Sequence, residues 1–87
     1  MAAMITTTVP LDITVYDQMA GGLGPHLKAA SGFRSHACHA VDGGFVVTEV
    51  WDSAQHHRDF FDANVKPNLP PDGVTVDVVE LRNTIEA

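Results

Sequence analysis

The spacing of hydrophobic and polar residues divides the chain into strands, with a period of two, and helices, with a period near four. Residues 3–9 are rich in β-branched side chains and are predicted to form a strand that ends at Pro10. Beyond this strand, apolar residues recur at every fourth position and define one face of a helix. These residues are Leu11, Val15, Met19, Leu23 and Leu27.

The first helix has a clear start and an unfavourable middle. Asp12 or Thr14 can cap its amino end, because a short polar side chain accepts a hydrogen bond from a free backbone amide. Glycines and a proline occupy most of residues 21–25, so we expect a break or kink there and a second short helical piece reaching Ala30. Gly32 can then take the left-handed conformation that closes a helix.

Two further strands, residues 33–41 and 45–51, flank Asp42-Gly43-Gly44, a sequence typical of a hairpin turn. Two registers are possible. With Asp42-Gly43 as a two-residue turn, the facing pairs are Ala40–Phe45, Cys38–Val47, His36–Glu49 and Arg34–Trp51. With all three residues in the turn, charged and apolar residues mix on both faces. We prefer the first register, since it separates polar from apolar side chains.

The second helix is predicted to start directly after the hairpin, with Asp52 as N-cap and Gln55 completing a capping box. It should run to about Val65, and its inner stripe comprises His57, Phe61 and Val65, with Phe60 beside it. Residues 74–81 form the last predicted strand. Its alternation slips at Val78-Val79, which predicts a β-bulge there or a partner on both faces.

The predicted order of elements is β-α-β-β-α-β, the ferredoxin-like arrangement of the α+β class, with a four-stranded antiparallel sheet. Both helices then cover one face of the sheet. In the preferred register, we expect the other face to be bare and to carry Arg34, His36, Cys38, Glu49 and Trp51. A bare, half-apolar face on so small a domain favours cover by a second copy, so we expect a homodimer.

Length and charge limit the possible partners. The 87 residues fit a single domain, residues 1–87. The net charge of −6 argues against nucleic acids and anionic membranes, because both require a basic surface. No apolar run approaches the roughly 20 residues of a membrane span, and the first residues lack the basic and apolar segments of a signal peptide. With Cys38 as a lone thiol, we expect a cytoplasmic protein.

Histidines are the main candidates for chemistry, with five in the chain. A neutral imidazole can accept a proton, so His36, oriented by the facing Glu49, and His57 are the candidate general bases. A metal site would need three or four convergent ligands. We expect neither a metal nor another built-in cofactor.

Other side chains are candidates for binding a substrate. Trp51 can stack on an aromatic ring or fill the dimer interface. Arg34 can stack on Trp51 or bind a substrate carboxylate. Tyr16 lies one position off the apolar stripe of the first helix and can hydrogen-bond into a pocket, which Phe61 and Glu49 would also line.

One set of segments is shared with a known family. The segments are Gly32-Phe33 after a helix, Val46 to Ser53 with its Trp-Asp-Ser step, His57 with Phe60-Phe61, and Lys66-Pro67. In these the chain resembles the antibiotic biosynthesis monooxygenase (ABM) family. The resemblance implies a dimeric α+β barrel whose two sheets meet face to face, with a pocket between sheet and helices in each subunit. Val47 stands where quinone-forming members have Asn, and Phe61 where haem-degrading members have His.

The resemblance implies several functions, because the family includes cofactor-free oxygenases, haem-degrading enzymes and quorum-signal proteins. Our leading hypothesis is a small-molecule oxygenase for an aromatic or polyketide-like substrate. His36 or His57 would deprotonate the substrate, which then gives an electron to oxygen, while Trp51 and Arg34 hold the anion. The alternatives are a non-catalytic binding or accessory protein of the same fold, and a haem- or metal-binding member.

Overall fold

Strands and helices alternate in the predicted order β-α-β-β-α-β in a computed structural model, which describes all 87 residues. The elements are β1 (Ala3–Val9), α1 (Ile13–Ala29), β2 (Phe33–Val41), β3 (Gly44–Trp51), α2 (Ala54–Phe60) and β4 (Thr75–Glu80). A π-helical turn, Phe61–Val65, and a 3-10 turn, Lys66–Asn68, continue α2. None of the helices is long and apolar enough to cross a membrane.

The four strands form one antiparallel sheet in the order β2-β3-β1-β4, and the ferredoxin-like fold is therefore confirmed. Along β1, alternate residues are buried, as expected for a strand with one face against the core. The core cluster comprises Ala3, Ile5, Leu27, Trp51 and Phe60. It joins both central strands to both helices, so it fixes how the helices lie on the sheet.

Helix α1 is continuous through its glycines and Pro25, so the predicted division into two helical pieces at 21–25 is wrong. Asp12 caps it, with its carboxylate accepting a hydrogen bond from the Thr14 amide at 2.9 Å. Each interior Gly costs about 1 kcal/mol and Pro about 3 kcal/mol of helix propensity. Packing of Leu23 and Leu27 against the core outweighs this local cost.

The hairpin has the preferred register over most of its length. The pairs His36–Glu49, Cys38–Val47 and Ala40–Phe45 are confirmed, and Gly43 has a φ of +79° in the turn. The Arg34–Trp51 pair is wrong, because the register shifts between Phe33 and Ser35. Phe33 takes the place opposite Trp51, and the two rings meet edge to face at 5.4 Å. The shift packs the Phe33 ring against the core and leaves the Arg34 charge at the sheet edge.

The prediction of which face is bare is also wrong. His36, Cys38, Glu49 and Trp51 lie on the covered face, the face of the sheet that carries the helices. Burial of the large indole at one end of β3 and of Phe45 at the other decides the orientation of this strand. The open face is polar and aliphatic; it consists of Met4, Thr6, Thr8, Ser35, Ala37, His39, Val46, Thr48, Val50, Thr75, Asp77 and Val79.

The start of α2 lies one residue later than predicted. Ser53, rather than Asp52, is the N-cap, with its hydroxyl accepting a hydrogen bond from the His56 amide at 3.2 Å. The Asp52 carboxylate instead accepts a hydrogen bond from Arg34 at 2.6 Å. Gln55 completes no capping box, since its amide donates to Asp59.

Strand β4 is an edge strand that no helix covers. It pairs with β1 without interruption from Thr75 to Glu80, so the predicted bulge at Val78-Val79 is wrong. Both valines are about half exposed, at 47% and 50%, one on each face of the sheet. The slip in the hydrophobic pattern therefore reflects an uncovered edge rather than a change of register.

Candidate functional site

A mostly apolar cavity lies between the covered face, helix α1 and the π-helical turn. Its volume is about 110 Å³, and it is open to solvent on one side. The apolar walls come from both layers and include Val9, Met19, Leu23, Leu27, Phe45, Val47, Phe61, Val65 and Leu69. The polar groups that reach it are Thr7, Tyr16, His36, Glu49 and His57. An apolar pocket with a small number of polar groups is typical of a small-molecule site.

Three of these polar side chains form a continuous hydrogen-bonded series. The Tyr16 hydroxyl lies 2.6 Å from Nε2 of His36, and Nδ1 of His36 lies 2.5 Å from Oε2 of Glu49. A carboxylate only accepts hydrogen bonds, so Nδ1 of a neutral His36 carries the proton and donates to Glu49. Nε2 then accepts from the Tyr16 hydroxyl. The hairpin register supplies the His36–Glu49 half of the series, and α1 supplies Tyr16.

Trp51 holds the Glu49 end of this series by a hydrogen bond from the core. Its indole Nε1 donates to Oε1 of Glu49 at 3.0 Å, so both oxygens of the carboxylate are engaged. Trp51 is fully buried in the core of a single chain and does not line the cavity. The sequence-based alternatives for Trp51, at a dimer interface or stacked on a substrate, therefore differ from its place in the structure.

His57 reaches the same carboxylate from α2. Its Nε2 lies 3.9 Å from Oε1 of Glu49, and its ring packs beside Trp51 and Phe61. Burial lowers the pKa of His57, although the charges of Glu49 and Asp62 oppose this shift. The imidazole is therefore held in its neutral form, which is the form that accepts a proton.

Tyr16 is kept as a neutral phenol. Burial raises the pKa of its hydroxyl, and the charges of Cys38, Glu49 and Asp17 act in the same direction. Its ring also contacts Phe45, with 5.5 Å between the ring centres. The Tyr16 hydroxyl therefore keeps its proton, which it donates in the hydrogen bond to His36, and Tyr16 lines the cavity.

Arg34 lies outside the cavity. Its guanidinium donates to Asp52 at 2.6 Å and to the Thr84 hydroxyl at 3.0 Å, which fixes the segment after β4 to the end of the hairpin. No group of three or more His, Cys, Asp or Glu side chains converges on a point where a metal ion could bind.

Sequence reasoning missed most of the cavity wall, and two of the missed residues show why. Thr7 is buried on a strand whose other inward residues are all apolar. A lone polar residue among inward apolar ones could have indicated that Thr7 faces a cavity. Leu69 follows the end of the helical segment, among prolines, where no periodicity marks it.

Comparison with solved structures identifies the fold, although no family pattern and no curated protein matches this sequence. The chain is similar to a monooxygenase from the gene ActVA-Orf6 of Streptomyces coelicolor in complex with nanaomycin D: 21% identity, TM-score 0.71, 99% of this chain and 92% of that one. It is similar to SnoaB, a cofactor-independent oxygenase from Streptomyces nogalater: 14% identity, TM-score 0.62, 99% and 96%.

A third similar structure is a Deinococcus radiodurans protein assigned to the antibiotic biosynthesis monooxygenases. The two chains share 15% identity with a TM-score of 0.64, over 100% of this chain and 98% of the other. The similarity in all three cases spans the whole sheet and both helices. The chain therefore has the fold of the antibiotic biosynthesis monooxygenases, as its sequence resemblance predicted.

Proposed function

We propose that this protein is an oxygenase that needs no built-in cofactor and acts on a hydrophobic aromatic compound with an ionisable hydroxyl group. The observation that carries the proposal is the Tyr16–His36–Glu49 series at the wall of an apolar cavity. Two proteins of similar structure, a monooxygenase and a cofactor-independent oxygenase, support it.

Proton removal from the substrate would pass through Tyr16. Both ring nitrogens of His36 already have partners, so His36 cannot reach a substrate hydroxyl directly. The substrate hydroxyl donates its proton to the Tyr16 oxygen while Tyr16 passes its own proton to Nε2 of His36. Glu49 stabilises the resulting imidazolium, and Tyr16 ends as a neutral phenol. His57 is the competing base, because it is neutral and lines the same cavity.

The resulting phenolate supplies the electrons for oxygenation. It transfers one electron to O₂, and the two radicals combine at a ring carbon that carries hydrogen. The His36 imidazolium returns its proton through Tyr16 to the peroxide anion. Loss of water from this hydroperoxide leaves a quinone, so one hydroxyarene and one O₂ give one quinone and one water. No other reductant is required. The apolar walls exclude bulk water from the radical pair.

Oxygen uptake with 1-naphthol tests the proposal. Tyr16→Phe and His36→Gln should each lower turnover by roughly 10²–10⁴-fold, because each removes one member of the proton path. The matched control is His26→Gln, which changes an exposed histidine on α1 away from both the cavity and the open face and should leave turnover unchanged. Equal activity in all four proteins would contradict the proposed proton path.

A non-catalytic binding protein of the same fold is the second candidate. Val47 lines the cavity with an aliphatic side chain at the position where quinone-forming relatives have Asn, which favours binding over turnover. In that case, isothermal titration would detect binding of 1-naphthol while no variant and no wild-type sample consumed oxygen.

We also propose a homodimer in which two open faces meet. Aliphatic residues on this face, including Met4, Val46 and Val50, are only half-buried in the single chain, and Val79 is 50% exposed. Light scattering should give twice the chain mass of 9.3 kDa. A mass of one chain at high concentration would contradict the dimer.

We place the protein in a reducing compartment such as the cytoplasm. Cys38 is a free cysteine, and burial raises the pKa of its thiol, with the charge of Asp17 adding to the shift. A thiol with a raised pKa is a poor nucleophile and persists as a small packing residue. Thiol titration of freshly lysed cells should find it fully reduced.

A further inference from the structure

A second groove adjoins the cavity. It lies between the π-helical turn, the proline-rich segment after it and strand β4, and its volume is about 490 Å³. Phe61 and Leu69 line both spaces, so these two side chains form the wall between them. The groove therefore lies directly beside the cavity.

The cavity alone is small for a substrate of several rings. At about 110 Å³ it is of the same order as an engineered cavity of ~150 Å³ that takes up benzene. A ring held beside Tyr16 therefore fills it, and the remainder of a larger molecule must pass Phe61 and Leu69. The groove is the space that receives this remainder.

The groove combines an apolar lining with one positive charge. Leu69, Val74 and Val76 contribute apolar walls, together with Pro70 and Pro71. Lys66 is the only Lys or Arg that lines either the cavity or the groove, in a chain with five such residues and a net charge of −6. Asp62, four residues earlier, also lines the groove and would repel an anion that bound away from Lys66.

We propose that this groove is a binding subsite for the far end of an aromatic acid. The hydroxyl-bearing ring lies in the cavity, and the carboxylate at the other end reaches the ammonium of Lys66. The orientation of the ligand rests on the proposed function, which places the hydroxyl at Tyr16. The subsite itself is tested by binding alone, without turnover.

The test compares 6-hydroxy-2-naphthoate with its uncharged methyl ester by isothermal titration without oxygen. The acid should bind the native protein about two- to fivefold more tightly than the ester, the range for an exposed ion pair. Lys66→Gln should remove this preference. Lys28→Gln, which changes an exposed lysine on α1 away from both spaces, should retain it.

A second pair of variants locates the ligand in the groove. Val76 and Val78 lie on the same strand and the same face and are similarly exposed, at 40% and 47%, but only Val76 lines the groove. Val76→Asp should weaken binding of the acid by about tenfold or more, because it places a like charge beside the carboxylate. Val78→Asp should leave binding unchanged.

The outcomes separate the two proposals. If the acid binds no more tightly than the ester, if neither binds, or if both valine variants behave alike, the subsite is overturned. If the binding pattern holds but no hydroxyarene is oxygenated, only the proposed function fails. If 1-naphthol is oxygenated but the Lys66 and Val76 variants have no selective effect, only the subsite fails.

Discussion

The two faces of the sheet are formed by the same strands but differ in how their side chains are bonded. On the covered face, polar side chains are few and Glu49 bonds to both His36 and Trp51, while no fully buried polar side-chain atom lacks a partner. On the open face, threonines and valines alternate without any such series. Buried polar groups must be satisfied, which fixes their geometry, whereas a half-exposed face can be covered by any complementary surface. We therefore expect catalysis on the covered face and association with a second copy of the chain on the open face.

The largest expected difference between the two faces is the difference in stability loss between Trp51→Ala and Val50→Ala, which change neighbouring residues on opposite faces. Trp51→Ala should lower the free energy of unfolding by about 3–5 kcal/mol, because it leaves a cavity in the core and frees one Glu49 oxygen. Val50→Ala should cost the single chain far less, since Val50 is only half-buried. Denaturant unfolding measures both. Equal losses would mean that Trp51 does not belong to the core.

A charge on the open face should break association and leave the fold intact. Val50→Asp buries an unpaired carboxylate between two sheets, so we expect at least a tenfold weaker dimer. Circular dichroism should remain that of the native chain. Gln18→Asp, on an exposed position of α1, is the matched control and should stay dimeric. Loss of the dimer in both variants would point to net charge rather than to the open face.

The pH dependence of stability tests the covered face through His57. The pKa of His57 is lowered from 6.5 by folding. At a pH between the lowered pKa and 6.5, the unfolded chain therefore binds more protons than the folded chain. Stability should therefore be full above about pH 6.5 and fall as the pH decreases toward the lowered value. His57→Gln should lack this part of the dependence. Thermal unfolding across the acid range measures it, and identical profiles would show that His57 is not desolvated.

The smallest expected effect concerns the start of α2. Ser53→Ala should cost about 1 kcal/mol, because the cap of the helix is lost. Asp52→Ala removes only an exposed ion pair with Arg34 and should cost less than half of that. The reverse order in thermal unfolding would restore Asp52 as the N-cap.

Local chemistry made much of the fold predictable. Asp42-Gly43 fixes a two-residue turn, and that turn alone brings His36 opposite Glu49. The same pattern could not decide which face of the hairpin is inward, because valines on one side compete with Phe45 and Trp51 on the other. Only the packing of the indole against Phe60 and Leu27 settles that choice. The place of Tyr16 beside His36 depends on how α1 crosses the sheet, which no local pattern specifies.

The position of the single tryptophan gives the protein an internal optical reporter. All indole emission comes from Trp51, which is fully buried and should therefore fluoresce at short wavelength. Its N–H donates to Glu49, and the His57 ring centre lies 5.9 Å from its own. A proton arriving on His57 should quench this emission. The protonation of His57 can thus be followed in native protein, without a label.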